Sequence, residues 1–485
     1  MVENDLHLKR QYLIDSTATP PPAGFTREMQ WNGYTIYAGS SLPLVGAASD
    51  SMSVLLLGHA VHHGHPEWDN ERVVQWLAQS ARSTEQVMTL SQDCGGRFVL
   101  LISDGMLTAA VPDACAMRHV YWHGDRERLL ISSSPRLLLQ ALGKTPELDN
   151  ETRDLLENSE FRTGEYAWYG DSWYDRSVRK ILANHYLDMT RRAPCRSAYR
   201  YSGPRSYEDV LHYAAALLNG LFKGIHARFQ VLQPLTAGYD SRLLLAASRN
   251  FTHRTRYYLF DNSYGLHRSA DVKVAAELSR RLHLPLQVVM PGKVREDFLC
   301  RYENTCFFPR IMPKTANIQW HYDTHRSAPV VNLNGNCGEI ARFHYSNKAA
   351  RDNHLARLIT IAGFNGYFGN RIKEWHDGAA QFCAATGMNI YDLFYWEQRM
   401  SNWGALYPFE QDIAIEEFTP YNHKNLLYAL LQIEERLRKG PGYPFIKELM
   451  SVLWPETLSV PFNPTVGLKL GYRTKRMVAK LVGKK

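Results

Sequence analysis

The chain has 485 residues, of which 45% are hydrophobic and 12% aromatic, so it can bury a large core and is expected to divide into two or three domains. Its seven cysteines are odd in number and include no C-x-x-C pair, which argues against a disulfide framework and against a zinc site. The formal net charge of +8 favours an anionic ligand or partner, such as a nucleotide, a carboxylate substrate or a nucleic acid.

The first residues, MVENDL, have neither the basic start nor the apolar run of a secretory signal, and nowhere do about 18 apolar residues follow one another. We therefore expect a cytoplasmic protein without a membrane segment. Part of the positive charge lies in the last thirteen residues, where basic and apolar residues alternate at helix-like spacing. We interpret this tail as a solvated amphipathic segment, with a docking surface for an acidic partner as the alternative.

The first third of the chain is rich in short strand candidates, and a few helical patterns lie between them. This mixture predicts an α+β sheet layer, which segment 184–188 closes. The predicted strands are 34–37, 53–57, 97–102, 107–111, 119–122 and 129–132, and the predicted helices are 71–81 and 135–141.

From about Ser206 strands alternate with helices, which predicts a parallel sheet of the nucleotide-binding type. Helical and aromatic-rich sequence follows to the end of the chain. The change of pattern divides the chain into 1–200 and 201–485. The predicted helices of the second part are 207–226, 241–249 and 270–282, and its predicted strands are 230–235, 255–260, 286–289 and 329–333.

The most informative stretch, PLTAGYDSR at 234–242, runs from an apolar strand through a small-residue turn into a helix. Backbone N–H groups at such a helix start face an anion, and the positive end of the helix dipole helps to bind it. Asp240 adds a carboxylate that can hold Mg²⁺ between phosphates. The alternative is an ordinary turn in which Asp240 and Ser241 cap the helix. The predicted nucleotide-binding residues of this stretch are Leu235, Thr236, Ala237, Gly238, Tyr239, Asp240 and Ser241.

Ligands of an open parallel sheet lie beyond the carboxyl ends of its strands. The turn at Thr236, the strand end at Phe260 and the turn that begins at Asn334 are therefore expected to converge on one crevice. In that geometry Asp240 and Glu339 would share Mg²⁺, and Gly335 would let the backbone approach a phosphate of the nucleotide.

Here the chain resembles the asparagine synthetase family. Residues 236–241, TAGYDS, are similar to that family's S-G-G-x-D-S pyrophosphate loop, and residues 334–345, NGNCGEIARFHY, are similar to its second motif, in which Glu339 takes the position of the metal-binding acid. Residues 416–424 are similar to a third motif, but they lack its arginine and aspartate. The resemblance reaches the first third of the chain through Gly95-Gly96-Arg97-Phe98 and Ser132-Ser133-Ser134-Pro135.

The resemblance implies an α/β protein in two parts. Residues 1–200 would form a glutaminase-like α+β sandwich of the Ntn type, and residues 201–485 a parallel-sheet PP-loop nucleotide-binding domain with a helical C-terminal part. It also implies an ATP- and Mg²⁺-dependent ligase: a substrate carboxylate attacks the α-phosphorus of ATP, and an amine then displaces AMP.

Departures from the family pattern decide which chemistry is expected. Family glutaminases use a terminal cysteine where this chain has Val2, and Cys94 and Cys115 lack the terminal amine that would act as base. We therefore expect no glutamine hydrolysis, as in the similar β-lactam synthetases and lasso-peptide cyclases. The acid and the amine would be small molecules or peptides, with a separate ammonia or peptide-delivery protein as a possible partner; a membrane partner is not expected, and a nucleic acid is disfavoured.

Two further departures concern catalysis. Asn336 stands where the family has an acid or tyrosine, and its amide takes no proton at neutral pH. Asn463 stands at the position of the family's late pyrophosphate-binding lysine, for which Lys469, Arg473 or Lys475 is the expected substitute. By resemblance, the expected catalytic set is Asp240, Glu339, Asn336 and Lys469.

Other features admit two interpretations. The four histidines between His59 and His65 suggest a metal, but no carboxylate follows at a recognisable spacing. The aromatic stretch 391–403 favours core packing, with Glu397 and Arg399 facing a substrate cleft as the alternative. Arg242 is expected to face the site, with an ion pair on the surface as the alternative. The rival functions are a non-catalytic nucleotide-binding scaffold and an RNA-modifying adenylating enzyme.

Overall fold

The computed structural model describes residues 8–17, 20–262, 269–306, 313–326, 329–343 and 365–464. Within these ranges the chain forms two antiparallel sheets of six strands each and one parallel sheet of five strands. The expected mixed α/β class is confirmed at this level, whereas the domain boundary at residue 200 stays a prediction. No helix in the described ranges is long and apolar enough to cross a bilayer.

The antiparallel strands are β1 Tyr12–Asp15, β2 Arg27–Trp31, β3 Tyr34–Ala38, β4 Leu44–Ala48, β5 Ser53–His62, β6 Cys94–Ser103, β7 Thr108–Pro112, β8 Tyr121–Gly124, β9 Leu129–Ser132, β10 Arg179–Lys180, β11 His185–Asp188 and β12 Ala193–Arg196. The parallel strands are β13 Gln230–Pro234, β14 Thr255–Phe260, β15 Leu286–Val289, β16 Val330–Leu333 and β17 Glu416–Phe418.

The first ten helices are α1 Asn70–Ser80, α2 Thr84–Leu90, α3 Pro135–Ala141, α4 Asn150–Glu157, α5 Ser159–Thr163, α6 Tyr207–Arg228, α7 Tyr239–Ala247, α8 Ala270–Leu282, α9 Glu296–Thr305 and α10 Pro313–His325. The later helices are α11 Gly366–Thr386, α12 Ile390–Leu393, α13 Leu406–Gln411, α14 Lys424–Leu431, α15 Glu435–Arg438 and α16 Pro444–Leu453, with a π-helix at Phe394–Gly404. Short 3₁₀ segments lie at Ser91–Asp93, Arg249–Arg254, Gly338–Arg342 and Pro455–Leu458.

The antiparallel sheets have the strand orders β10-β8-β9-β1-β3-β2 and β12-β11-β7-β6-β5-β4, and they pack face to face. Strand β5 shows why, because neighbouring residues of a strand point to opposite faces. Leu55 packs into the core between the sheets, whereas Val54 packs against α1 and α2 on the outer face. The outer face of the other sheet is covered by α3 and by the loop around Trp173, so the layers run helix, sheet, sheet, helix.

The parallel sheet has the order β15-β14-β13-β16-β17. Its central strand β13 is buried on both faces: Val231 packs with α6 and α7, and Leu232 packs with α9 and α10 on the other side. The strand order reverses between β13 and β16, which pair in parallel from Gln230 to Leu232. In sheets of this kind the crevice at the reversal point, beyond the carboxyl ends of the strands, is where ligands bind.

A buried ion cluster joins the antiparallel layers to the parallel sheet. Arg97 Nη2 of β6 lies 2.9 Å from Asp412 Oδ2, Arg118 Nη2 lies 2.7 Å from Glu416 Oε1, and Arg10 lies 3.6 Å from Glu416. The five side chains are at most 6% exposed. Burial alone would raise the pKa of Glu416, but Arg118 and Arg97 lower it to about 2. A cluster of this kind is tolerated only because each charge is paired.

We expect Asp412→Asn to lower the free energy of unfolding by about 3–5 kcal/mol, because it removes one of the two carboxylates that pair with the buried arginines and takes the main counter-charge from Arg97. Urea denaturation measures the effect. The control is Glu277→Gln, which removes an exposed carboxylate paired with Arg280 and Arg281 and is expected to change stability little. Equal effects of the two substitutions would contradict a stabilising role for the buried cluster.

Candidate active site at the strand-order reversal

The turn after β13 is closed by its own hydroxyl groups. The hydroxyls of Thr236 and Ser241 lie 2.7 Å apart, the N–H of Thr236 donates to Ser241 Oγ at 3.2 Å, and the N–H of Gly238 donates to Thr236 Oγ1 at 3.2 Å. These hydrogen bonds hold the turn in shape, and contact of the same groups with a nucleotide stays a prediction. The first-turn amides of α7 have no side-chain cap, so an anion can still bind at that helix start.

Two neighbouring segments hold the turn from outside. Asp271, in the first turn of α8, accepts a hydrogen bond from the N–H of Ala237 at 2.8 Å. Asn463 donates its backbone N–H to the carbonyl of Ala237 at 3.1 Å. Asp271 is not among the predicted site residues, although an acidic residue at the start of the helix after the next strand is a signal that could have identified it.

The turn after β16 lies directly against Asp240. A Cβ added at Gly335 would stand 2.8 Å from the Cβ of Asp240, and one added at Gly338 would stand 2.8 Å from Asp240 Oδ1. The hydroxyl of Tyr421 donates to the carbonyl of Asp240 at 3.1 Å. The two glycines are therefore needed for the close approach of the two turns.

Asp240 and Glu339 meet at one guanidinium group. Arg342 Nη2 lies 2.9 Å from Asp240 Oδ2 and 3.6 Å from Glu339 Oε1. Burial and the charge of Glu339 raise the pKa of Asp240, and Arg342 opposes this shift. Burial likewise raises the pKa of Glu339 against the effect of Arg342. Sequence reasoning missed Arg342, because it stands where the family motif has phenylalanine.

The two carboxylates suit a hard cation such as Mg²⁺, which prefers oxygen ligands and is often held by one or two carboxylates together with phosphate oxygens. Glu339 Oε2 is buried without a hydrogen-bond partner, which leaves it available to an ion. Within the described ranges no group of three or more histidine, cysteine, aspartate or glutamate side chains could hold a metal by itself. A cation at this pair would therefore depend on oxygens of a ligand.

Asn336 lines a cavity of about 210 Å³ beside the crevice. Its Nδ2 donates to the carbonyl of Gly404 at 3.3 Å, and its backbone N–H donates to Asn334 Oδ1 at 3.0 Å. Asn317, which also lines the cavity, has its Oδ1 buried without a hydrogen-bond partner. This volume is below the range of sites for drug-sized ligands and suits a smaller molecule. The lining residues are Lys314, Asn317, Asn336, Trp403, Gly404 and Tyr407.

A buried carboxyl group hydrogen-bonds to side chains at the end of β16 and in the turn that follows it. Glu417 Oε1 accepts from Asn332 Nδ2 at 2.8 Å, and its Oε2 accepts from Asn334 Nδ2 at 2.6 Å. Burial raises the pKa of Glu417 to about 8, although both amides favour the charged form. Asn334, thus oriented, also accepts from the hydroxyl of Thr419 at 2.6 Å. Glu417 is a positioning residue that sequence reasoning did not single out.

Three predicted nucleotide-binding residues contribute mainly to packing. Leu235 is fully buried, and its backbone N–H donates to the carbonyl of Tyr258 at 2.9 Å. The ring of Tyr239 stacks on Phe462 with centroids 4.3 Å apart, and Phe260 packs edge-on against the ring of Trp320. The predicted catalytic Lys469 lies outside the described residues, as does the basic tail.

The expectation for Arg242 is wrong. Its side chain is buried and donates to the carbonyls of Pro461 and Thr457, so it anchors that segment rather than facing the crevice.

Two other features with open interpretations lie away from the crevice or form no site. Glu397 is buried, in a pair with Arg196 at 2.8 Å, which favours the core-packing interpretation of the aromatic stretch. The rings of His62 and His63 stack on each other, with centroids 5.5 Å apart, and form no metal group within the described ranges.

Neither a protein-family model nor a curated protein matches the chain. Two solved structures show a distant similarity. The NH3-dependent NAD synthetase of Campylobacter jejuni has 12% identity and a TM-score of 0.21, covering 38% of this chain and 85% of that one. The glutamine-dependent NAD+ synthetase of Acinetobacter baumannii has 11% identity and a TM-score of 0.20, covering 54% of this chain and 59% of that one. Similarities this low assign no function to the chain.

We expect Gly335→Ala to lower the free energy of unfolding by about 1–3 kcal/mol, because the new methyl group meets the Cβ of Asp240 rather than a flexible side-chain end. Gly292→Ala is the matched control, since nothing lies within 4 Å of a Cβ there, and it is expected to stay within about 0.5 kcal/mol of the wild type. If both variants unfold like the wild type, the two turns are not in the contact described.

Glu417 gives a test by pH. Its pKa is raised from 4.5 to about 8 in the folded protein, so the folded state binds the proton more tightly than the unfolded state. This contribution to stability is present below pH 4.5 and is lost as the pH rises through 8, at up to about 1.4 kcal/mol per pH unit. The measurement is the free energy of unfolding in urea between pH 5 and 8. As the pH rises, the difference between Glu417→Gln and the wild type is expected to shift in favour of the variant, because only the wild type loses the proton. The exposed Glu157→Gln is the control, and a constant difference between Glu417→Gln and wild type would contradict the raised pKa.

Proposed function

We propose that this protein is an ATP-dependent, AMP-forming carbon–nitrogen ligase that activates a substrate carboxylate. The observation that carries this proposal is the meeting of Asp240 and Glu339, from the turns after β13 and β16, at the strand-order reversal. Ligands of open α/β sheets bind at that position. The resemblance of both turns to asparagine synthetase motifs supports the same activity.

The proposed reaction has two steps. The substrate carboxylate attacks the α-phosphorus of ATP and releases pyrophosphate, and an amine then attacks the acyl-adenylate and releases AMP. Asp240 and Glu339 would hold Mg²⁺, which when bound neutralises charge on the phosphates. The uncapped first turn of α7 would orient the phosphates through its N–H groups. The main contribution of the chain is thus positioning and electrostatic stabilisation.

The amine is proposed to come from outside the N-terminal sheets. Cys94 and Cys115 are buried, and burial raises the pKa of both thiols. A thiol of this kind is a poor nucleophile, because the thiolate is the reactive form. Neither cysteine is therefore suited to release ammonia from glutamine. The amine would belong to the substrate itself, to a second small molecule or peptide, or to the product of a separate enzyme.

The cavity beside Asn336 is the proposed place of the second substrate. It adjoins the turn after β16 through Asn336. Lys314, whose Nζ pairs with Glu165 Oε2 at 3.3 Å, lies 5.8 Å and 5.7 Å from the ring centroids of Trp403 and Tyr407. Asn336 takes no proton at neutral pH and would position this substrate rather than act as a base.

The test is the Asp240→Asn variant, which keeps the shape of the side chain and removes its charge. With a panel of carboxylic acids, ATP and Mg²⁺, we expect release of AMP and pyrophosphate to fall by about 100-fold or more. Asp154→Asn, on the exposed side of α4, is the matched control and should retain activity. Unchanged pyrophosphate release in Asp240→Asn would remove the assignment.

A second candidate is a non-catalytic nucleotide-binding protein. Two observations favour it: Asn336 binds the carbonyl of Gly404, and Asn463 stands where the family has a lysine. Calorimetry with ATP and Mg²⁺ separates the candidates, because binding without AMP formation across the acid panel supports this second function, whereas AMP formation excludes it.

A further inference from the structure

The position of Arg342 within the carboxylate pair has a consequence for cation binding. Arg342 ends the 3₁₀ segment Gly338–Arg342, which the β16 turn leads into. One nitrogen atom, Nη2, serves both Asp240 Oδ2 and Glu339 Oε1, at 2.9 Å and 3.6 Å. The guanidinium lies near the ring of Tyr443, with its central carbon 5.6 Å from the ring centroid.

The arrangement differs from an ion pair built for stability. Arginine usually binds a carboxylate through two parallel N–H groups, and Arg438 does so with Asp392 in this chain, at 3.0 Å and 2.7 Å. Arg342 instead places one nitrogen between two carboxylates, and its Nε is buried without a hydrogen-bond partner. A single atom between two carboxylates is the geometry of a monatomic cation.

We propose that Arg342 is the resident counter-cation of Asp240 and Glu339, and that a divalent cation binds this pair in competition with it. The proposal rests on the proposed function in one respect, namely that the pair is the metal site. Arg342 already contacts Asp240 Oδ2 and Glu339 Oε1. An ion that enters the pair therefore has to displace Arg342 or bind the other carboxylate oxygens beside its positive charge, so the protein without nucleotide binds the ion weakly. Phosphate oxygens offer the guanidinium another partner, so an anionic ligand that draws Arg342 from the carboxylates strengthens binding of the ion.

The experiment measures Mn²⁺ binding to the full chain by electron paramagnetic resonance, without substrates. Arg342→Gln is expected to bind Mn²⁺ about tenfold or more tightly than the wild type, in the range of ordinary coupling between sites. Arg342→Lys keeps the charge and is expected to bind Mn²⁺ more weakly than Arg342→Gln. It also tests the competition if the Gln variant folds poorly, which thermal unfolding monitors.

The matched control is Arg399→Gln. Arg399 acts on Glu339 through its charge and lies over the ring of Trp403, 4.2 Å from the centroid, so its removal changes the field without freeing a carboxylate oxygen. We expect a smaller gain in Mn²⁺ affinity than in Arg342→Gln. Equal gains in Mn²⁺ affinity in the two variants would show that removal of a positive charge is sufficient. That result would overturn the proposal that Arg342 competes with the ion for the carboxylates.

Inorganic pyrophosphate tests the second half of the proposal. It is expected to tighten Mn²⁺ binding to the wild type by more than it does in Arg342→Gln, after correction for binding of Mn²⁺ to free pyrophosphate. Equal tightening in both proteins would show that Arg342 does not link the two ligands and would overturn that half.

The double variant Asp240→Asn/Arg342→Gln tests where the ion binds. It lacks the Asp240 carboxylate, so the Mn²⁺ affinity that Arg342→Gln gains is expected to be lost in the double variant. Retained binding would place the ion elsewhere and overturn the proposal, as would the absence of Mn²⁺ binding in every variant. Failure of the ligase proposal gives a different result: Mn²⁺ competition would persist with no AMP formed from any acid. Conversely, AMP formation that depends on Asp240, without competition between Arg342 and Mn²⁺, would support the ligase proposal and contradict this role of Arg342.

Discussion

Strand β17 carries the constraint on which the rest of the structure depends. Its two neighbouring glutamates point in opposite directions, as strand geometry requires. Glu416 faces Arg97 and Arg118 of the antiparallel layers, and Glu417 faces Asn332 and Asn334 of the parallel sheet. Because a buried charge is costly unless it is paired, this three-residue strand sets where the antiparallel layers lie relative to the crevice.

The π-helix at Phe394–Gly404 makes a second connection between the same parts. The indole N–H of Trp396 donates to the carbonyl of Ala114 at 2.8 Å, and Ser401 Oγ accepts from the backbone N–H of Ala183 at 2.6 Å. At its other end the carbonyl of Gly404 accepts from Asn336. π-helical turns are rare and frequently occur at functional sites, and here the segment brings the N-terminal sandwich to the wall of the cavity beside the site. The sandwich thus supports the crevice even though its buried cysteines are poor nucleophiles.

Two residues at the crevice, Asn463 and Arg342, differ from the asparagine synthetase motifs that the chain resembles. The chain has Asn463 where a lysine is expected, and that residue holds the turn through its backbone. It has Arg342 where an aromatic residue is expected, and that residue places a positive charge against both carboxylates. A positive charge is thus present beside the two carboxylates but comes from a different segment, so a comparison of motif positions one by one misses it.

Several elements follow from the sequence with the bounds that the structure shows: strands 129–132, 255–260 and 286–289 and helices 135–141 and 270–282. In these segments local periodicity and burial agree. The π-helix and β17 were not predicted, because a π-helix has no distinct pattern and three residues that begin with two glutamates do not read as a strand. The sequence also placed Asp240 and Glu339 beside one crevice, since both follow parallel strands.

The sequence by itself determined the alternation of strands and helices and the two acidic turns, because these depend on neighbours within a few residues. Only the tertiary structure decided which side chains face the crevice. Arg242 lies in the first turn of α7, yet it is buried against Thr457 and Pro461, whereas Arg342, about a hundred residues further along the chain, reaches Asp240. The physical reason is that pairing of charges at a site depends on distances across the fold, and spacing along the chain does not contain those distances.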